Sequence, residues 1–157
     1  MIRTIGYEDA SLDGFLSALL ADRVSIIIDV RAVAGSRRRG FSKQALAAVL
    51  RDAGIAYLHL RDLGDPKPGR EAARAGRMTD FLAIYTAHLC DPRAQGSLAE
   101  AARVAQSQAA CLLCYEHDPA CCHRTIVADA IARSTGMAVR HLWPVASATR
   151  SGLAAAA

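Results

Sequence analysis

Residues 110–133 read ACLLCYEHDPACCHRTIVADAIAR and contain a strand, a turn and the start of a helix. The apolar residues 111–115 predict a buried strand, and the acidic residues 116–119 predict a turn. The sequence Cys-Cys-His-Arg then opens an apolar helix that ends at Gly136. Ionisable residues therefore collect where a strand passes into a helix N-terminus, which is where ligands bind in an open parallel sheet.

Strands and helices alternate along the rest of the chain. Short apolar segments predict four further strands, at residues 2–5, 25–30, 55–60 and 138–142. Between the strands, apolar residues recur with the period of a helix, as in Leu12, Phe15, Leu16, Leu19 and Leu20. This alternation predicts an α/β fold, a single-domain three-layer α/β/α arrangement with a mainly parallel sheet of about five strands and right-handed crossovers.

The length and composition indicate one domain. A chain of 157 residues with 52% hydrophobic content is long enough for one core and too short for two. We expect this domain at residues 1–145, followed by a flexible tail at residues 146–157. No apolar run approaches the ~20 residues of a membrane span and no secretory leader precedes the first strand, so we expect a cytoplasmic protein without a membrane partner. Five unevenly spaced cysteines are typical of reduced thiols.

Positive charge collects in two loops that follow predicted strands. The net charge is +4 and the pI is near 9.0. The basic residues of the two loops are Arg31, Arg37, Arg38, Arg39 and Lys43 in the first and Arg61, Lys67, Arg70, Arg74 and Arg77 in the second. We therefore expect an anionic partner, either a small molecule such as a nucleotide or a nucleic acid. Only 5% of the residues are aromatic, so few side chains are available to stack on bases.

Two stretches leave alternatives open. Residues 61–78 have no periodicity and contain several glycines and prolines, so they form a lid, a binding element or a disordered loop. Thr79 is placed to cap the helix that follows. The next helix starts either at Asp91-Pro92 or at the capping box formed by Ser97 and Glu100.

Three familiar phosphate-binding motifs are absent. Neither a GxGxxG fingerprint nor a GxxxxGK[ST] loop occurs in the chain, so the usual dinucleotide binding and P-loop phosphoryl transfer have no support. The Cys-x5-Arg loop of phosphatases is absent after Cys114, because Pro119 lies five residues beyond it and Ala120 six.

Several short motifs follow one another in an order that resembles the bacterial and archaeal family known as domain of unknown function 488 (DUF488). The motifs are Thr4-Ile5-Gly6-Tyr7, Asp29-Val30-Arg31, Ser36-Arg37, Gly40-Phe41-Ser42-Lys43, Tyr57-Leu58-His59, Leu63-Gly64, Pro66-Lys67, Leu113-Cys114-Tyr115-Glu116 and Cys122-His123-Arg124. The resemblance covers residues 2–131 and departs from the family at Ala34, where a proline is expected. It implies an α/β domain and carries no established activity.

Candidate ligand-binding residues follow the predicted strand ends. The family motifs place Gly6, Tyr7, Asp29, Arg31, Tyr57 and His59 there, and Arg124 begins a helix beside them. Ends of parallel strands lie on one side of a sheet, so these groups are expected to converge. Asp29 and Arg31 share a strand face and either pair with each other or reach into the cleft. Ser36, Arg37 and Lys43 form a candidate phosphate cradle.

Glu116, His123 and Cys122 are the candidate catalytic residues. Glu116 is placed to act as a general base, or else pairs with Arg124 or Arg31 and holds the loop in shape. Cys122 lies at a helix N-terminus beside His123 and Arg124, and such surroundings lower the pKa of a thiol and favour a nucleophile. The alternative for Cys122 is a small buried residue, which is the usual role of a free cysteine.

A zinc site is the less favoured alternative. Its ligands would come from Cys111, Cys114, His117, Cys121, Cys122 and His123. The pair Cys111 and Cys114 resembles half of a zinc motif, but residues three apart on a strand point to opposite faces. We therefore predict no metal and no other cofactor.

Two hypotheses of function remain. The first is an enzyme, a hydrolase or a transferase, that acts on a phosphate-bearing substrate such as a nucleotide or a nucleic acid. The second is a binding module that uses the same basic cleft without chemistry. The sequence does not predict the reaction type or the oligomeric state.

Overall fold

The computed structural model describes residues 1–145, and within that range five parallel strands form one sheet. The strands are β1 (Ile2–Gly6), β2 (Ile26–Asp29), β3 (Ala56–His59), β4 (Ala110–Cys114) and β5 (Val139–Leu142). Their order across the sheet is β3-β2-β4-β1-β5. The predicted tail at residues 146–157 lies outside the described residues.

Six helices connect these strands within residues 1–145. They are α1 (Leu12–Ala21), α2 (Lys43–Asp52), α3 (Lys67–Arg74), α4 (Met78–Leu89), α5 (Pro92–Ser107) and α6 (His123–Thr135). Ser11 caps α1 by accepting a hydrogen bond from the Gly14 amide at 3.0 Å. Asp91 caps α5 in the same way, so this helix begins at Pro92, the first of the two predicted starts.

Helices cover both faces of the sheet, as predicted. On one face α1 and α2 pack Phe15, Leu19, Leu46 and Leu50 against alternate strand residues such as Ile27 and Cys111. On the other face α3 to α6 pack against residues such as Ile28, Leu112 and Cys114. Cys111 and Cys114 therefore lie on opposite faces, as strand alternation requires. The fold is a single-domain three-layer α/β/α structure.

The direction of the crossovers creates a crevice beside β4. The chain leaves β1 and β2 toward the face that carries α1 and α2, and it leaves β4 toward the face that carries α6. Because β4 lies between β1 and β2, loops on its two sides diverge at its carboxyl end. Such a switch point is where open parallel sheets bind their ligands.

Residues 61–78 are ordered, so the alternative of a disordered loop is wrong. A 3₁₀ turn at Arg61–Leu63 leads into α3, and α4 begins at Met78, one residue before Thr79, the cap that the sequence predicts for this helix. Pro68 is tolerated because it lies in the first turn of α3, where its missing N–H has no helical partner. The buried face of α3 consists of Gly69 and Ala72, so its packing leaves no periodic pattern of large apolar residues.

No helix within residues 1–145 combines the length and the apolar character that crossing a membrane requires.

Candidate functional site

A cavity of about 880 Å³ opens at the carboxyl ends of β1, β2 and β4. Its lining comes from the loops that follow these strands, from α3 and from the N-terminus of α6. The lining residues with polar or aromatic side chains are Tyr7, Arg31, Ser36, Arg37, Arg38, Asp65, Arg70, Arg74, Cys114, Tyr115, Glu116 and His123. The cavity therefore occupies the switch point of the sheet and has the size of a small-molecule site.

Asp29 and Arg31 pair with each other on the wall of the cavity. The Arg31 Nε lies 2.9 Å from Asp29 Oδ1 and its Nη2 lies 2.6 Å from Oδ2. Burial by itself lowers the pKa of Arg31, but the hydrogen bonds and negative charge of Asp29 raise it above its ordinary value. Of the two arrangements that the sequence left open, the structure has the ion pair.

Three of the predicted ligand-binding residues support this pair. The Tyr7 hydroxyl accepts a hydrogen bond from Arg31 Nη1 at 2.8 Å, and the Tyr57 hydroxyl donates to Asp29 Oδ2 at 2.5 Å. His59 Nε2 lies 2.8 Å from the Arg31 carbonyl oxygen. Burial and the Asp29 carboxylate raise the pKa of Tyr57. Tyr7 lines the cavity, whereas Tyr57 and His59 are not part of its lining.

Arg124 and Gly6 shape the loop after β4. The Arg124 guanidinium, 1% exposed, donates to the Glu116 carbonyl oxygen at 2.5 Å and to the His117 carbonyl oxygen at 3.0 Å. A Cβ at Gly6 would lie 1.8 Å from the same Glu116 oxygen, so a side chain there has no room. The structure thus places Arg124 behind the loop, outside the cavity lining, where it fixes the backbone of Glu116.

The arginine-rich loop contributes part of its predicted cradle. Ser36, Arg37 and Arg38 line the cavity, and the Ser36 hydroxyl accepts from the Arg38 amide at 3.1 Å. The Arg38 guanidinium donates to the carbonyl oxygens of Glu8 and Ala10, so it fastens this loop to the one after β1. Lys43 is exposed on α2 and lies outside the lining, and its backbone amide donates to the Ala34 carbonyl oxygen at 2.8 Å.

Arg70 and Arg74 on α3 line the cavity and were not among the predicted site residues. Both lie in a segment without apolar periodicity, so the sequence did not place them on a helix. Their spacing of four residues, which puts two side chains on one helical face, was the available signal. Within residues 1–145 no carboxylate lies within ion-pair distance of Arg37, Arg70 or Arg74.

Asp65 is a third residue of the lining that the sequence did not identify. Its side chain lines the cavity, is 5% exposed, and leaves Oδ1 without a hydrogen-bond partner among the described residues. Burial raises the pKa of Asp65 to about 6, against the opposing charges of His123 and Arg70. Asp65 can therefore exchange a proton close to neutral pH.

Two thiols, a carboxylate and an imidazole meet at the floor of the cavity. Oε2 of Glu116 lies 3.3 Å from Cys114 Sγ and 3.1 Å from Cys122 Sγ. Cys114 Sγ lies 3.7 Å from His123 Nδ1 and 3.8 Å from its Nε2. His123 Nε2 also lies 2.9 Å from the Val30 carbonyl oxygen. The three predicted catalytic residues are thus together, with Cys114 as an additional member.

The predicted activation of Cys122 is wrong. Burial raises the pKa of its thiol well above the ordinary value, and the neighbouring Cys114 raises it further, while His123 opposes both. Cys122 is 3% exposed and its side chain lies behind the cavity lining. The tertiary packing removes water from the sulfur, and that outweighs the helix N-terminus. A free Cys122 thiol is therefore a poor nucleophile at neutral pH.

The cysteines that meet in the structure are not the pair that the sequence suggested for a zinc site. Cys111 and Cys114, which resemble half of a zinc motif in the sequence, lie on opposite faces of the sheet as predicted. The pair that meets is Cys114 with Cys122, because the turn at residues 115–121 returns the N-terminus of α6 to the end of β4. The ligand atoms of Cys114, Cys122 and His123 lie within 4.8 Å of one another, and all three residues are buried.

A family model described as domain of unknown function DUF488 matches residues 11–131, which is most of the chain. No curated protein and no solved structure matches the chain.

Proposed function

Because the chain belongs to the DUF488 family, which prescribes no activity, we propose from the geometry of the site that it binds a phosphate-bearing ligand, a nucleotide or a nucleic acid. The ligand occupies the cavity at the carboxyl ends of β1, β2 and β4. The observation that carries the proposal is the excess of arginine over carboxylate in this lining.

The charges of the lining favour an anion. Arg31 is neutralised by Asp29, which leaves Arg37, Arg38, Arg70 and Arg74 against the two carboxylates Asp65 and Glu116. Guanidinium groups bind phosphate oxygens through two parallel N–H donors. Arg38 and Arg70 already use some of these donors on backbone carbonyl oxygens, so they contribute mainly positive charge to the cavity. Arg37 and Arg74 are exposed and free to reorient toward a ligand.

An aromatic ring at the mouth of the cavity favours a nucleotide over inorganic phosphate. Tyr115 lines the cavity and is 42% exposed. Its ring packs edge-on against the buried Tyr7 ring with centroids 5.4 Å apart, which fixes its orientation. A fixed and exposed aromatic face is a platform on which a base can stack.

Chemistry on the bound ligand would use the floor of the cavity. Glu116 lies on the floor, and Asp65, with a pKa of about 6, also faces the cavity. Either carboxylate is suited to take a proton from an attacking water or hydroxyl, which is the general-base step of hydrolysis or group transfer. His123 lies beside them and Cys122 is too deeply buried for direct attack.

Calorimetric titration with nucleoside mono- and triphosphates and with a short single-stranded RNA tests the binding. We expect Arg70→Ala and Arg74→Ala each to weaken affinity by about tenfold, the value of one charge-assisted contact. Arg51→Ala is the matched control, because Arg51 is an exposed arginine on α2 outside this cavity. RNA affinity should fall steeply as salt rises, since phosphate contacts release counterions. Equal losses in all three variants would contradict the proposal.

One substitution distinguishes an enzyme from a binding module. Glu116→Gln should abolish turnover of a bound phosphate compound while its affinity stays unchanged if the protein is a hydrolase or a transferase. If the wild-type protein returns every bound nucleotide unaltered, the cavity serves binding alone.

A further inference from the structure

We propose that Cys114, Cys122 and His123 form a zinc site, with Glu116 as its fourth ligand. The four residues lie at the end of β4 and the beginning of α6. This inference does not depend on the ligand class proposed above, because it rests on the donor atoms at the floor of the cavity and on their mutual distances.

The distances between the donor atoms suit one small ion. Tetrahedral zinc with Zn–S near ~2.3 Å and Zn–N near ~2.0 Å places two sulfurs about 3.8 Å apart and a sulfur and a nitrogen about 3.6 Å apart. Cys114 Sγ lies 3.7 Å from His123 Nδ1. Cys122 Sγ completes the set, with all three donor atoms within 4.8 Å of one another. Cys114 Sγ also lies 3.8 Å from His123 Nε2, so the imidazole ring has to turn for its Nδ1 lone pair to point at the ion.

The Glu116 carboxylate supplies the fourth position in the metal-bound protein, in which Asp65 is then the carboxylate of the cavity lining that stays free to act as a base. One oxygen, Oε2, lies 3.3 Å from Cys114 Sγ and 3.1 Å from Cys122 Sγ. In the metal-free protein the two thiols donate S–H hydrogen bonds to this oxygen. When Zn²⁺ binds, both thiols lose their protons to solvent and the thiolates coordinate the ion. Oε2 then coordinates the ion as well, instead of accepting the two S–H hydrogen bonds. The double positive charge of the ion then compensates the two thiolates, and the Glu116 carboxylate leaves the site with one net negative charge.

The surroundings fix the tautomer of His123. Its Nε2 lies 2.9 Å from the carbonyl oxygen of Val30, which can only accept a hydrogen bond. Nε2 therefore carries the proton and Nδ1 keeps its lone pair. Metal-bound histidines in proteins hold their second nitrogen in this way, with a carbonyl or carboxylate as the partner.

The backbone positions of the ligands are also held. Cys114 is the last residue of β4 and His123 the first of α6, so both belong to regular elements. Arg124 fixes the carbonyl group of Glu116 at 2.5 Å. A preorganised set of two thiolates and an imidazole selects zinc over magnesium or calcium, which prefer oxygen ligands.

Titration of the reduced, metal-free full chain with Co²⁺ and then Zn²⁺ tests the site. We expect one equivalent of Co²⁺ to give thiolate-to-metal charge-transfer absorption with the visible bands of tetrahedral cobalt, and Zn²⁺ to displace it. Cys114→Ser and Cys122→Ser should each weaken metal affinity by about 100-fold or more, and Glu116→Gln by about tenfold. Cys121→Ser is the matched control, since this exposed thiol adjoins Cys122 and lies outside the cluster.

The result that would overturn the site is a wild-type protein without the thiolate band at saturating Co²⁺, or an equal loss in Cys121→Ser. The wild-type spectrum needs no substitution, so it decides the question even if a cysteine variant fails to fold, which circular dichroism detects. Arg74→Ala should bind Co²⁺ like the wild type. Loss of nucleotide binding in Arg74→Ala therefore reports on the proposed function alone, and loss of the cobalt spectrum reports on the metal site alone.

Discussion

The guanidinium of Arg31 forms a bidentate ion pair with the carboxylate of Asp29, with Nε 2.9 Å from Oδ1 and Nη2 2.6 Å from Oδ2. Asp29 is fully buried and Arg31 is 5% exposed, so each ion has the other as its compensating charge. The remaining donors of Arg31 reach the Tyr7 hydroxyl and the Phe41 carbonyl oxygen. This network joins the loops after β1 and β2 and makes the wall of the cavity a fixed structure.

Asp29→Asn should destabilise the protein strongly. The substitution leaves the Arg31 cation buried without a counterion, which costs about 3–5 kcal/mol in the free energy of unfolding. Urea denaturation at neutral pH measures the change. Asp52→Asn is the control, because the Arg51–Asp52 pair is exposed and such pairs contribute about 1 kcal/mol or less. A loss below about 1 kcal/mol for Asp29→Asn would show that Arg31 finds another partner.

Arg124→Lys should destabilise the fold and loosen the loop that follows β4. A lysine ammonium lacks the planar fork that now reaches the carbonyl oxygens of both Glu116 and His117. We expect a loss of about 2 kcal/mol or more and faster amide exchange at residues 115–118. Arg133→Lys, on the exposed last turn of the same helix, should change stability by less than about 0.5 kcal/mol. Unchanged exchange in the loop would refute this role.

Gly6→Ala and Gly96→Ala should act in opposite directions. A Cβ at Gly6 would lie 1.8 Å from the Glu116 carbonyl oxygen, so the loop must move, at a cost of about 1–3 kcal/mol. Gly96 lies inside α5 with nothing within 4 Å of its added Cβ. Alanine there should stabilise the protein by about 0.5–1 kcal/mol through helix propensity. Thermal unfolding of the two variants checks both signs, and stabilisation by Gly6→Ala would contradict the packing described.

Asp65→Asn should change how stability depends on pH. Burial raises the pKa of Asp65 to about 6, so the folded state binds a proton that the unfolded state has already released. The wild-type protein should therefore lose stability as pH rises from about 4 to about 6, by up to about 3 kcal/mol from this group. Subtracting the Asp65→Asn stability curve from the wild-type curve isolates the effect. If the wild-type stability minus the Asp65→Asn stability stays constant or rises across this pH range, the pKa of Asp65 is not raised in the folded protein.

Much of the architecture follows from local sequence. The five strands, the helices with apolar faces and the cap at Asp91 lie within two residues of their predicted positions. These features depend on neighbours within one turn or one strand, so periodicity and capping chemistry predict them. Helix α3 escaped prediction because its buried face is made of Gly69 and Ala72, and the helical period is visible only when large apolar residues mark it.

The sequence predicted the edge of the sheet at which the candidate site lies, but not which side chains contact one another there. Strand ends of a parallel sheet meet on one side, so Tyr7, Arg31 and Glu116 were expected near one another and all three line the cavity. The sequence could not distinguish residues that face the cavity from those behind it. Tyr57, His59 and Arg124 have the same local patterns as their neighbours, yet their hydrogen bonds go to Asp29, to the Arg31 backbone and to the β4 loop.

Local sequence patterns predicted the five strands, every helix except α3, and the edge of the sheet at which polar groups collect, because these features repeat within short segments. The tertiary structure alone decided the strand order, the pairing of Asp29 with Arg31, the burial of Cys122 and the meeting of Cys114, Cys122 and His123. Those outcomes depend on how elements distant along the chain pack around β4. Packing excludes water from some ionisable groups and brings others into contact, and no local pattern encodes which groups these are.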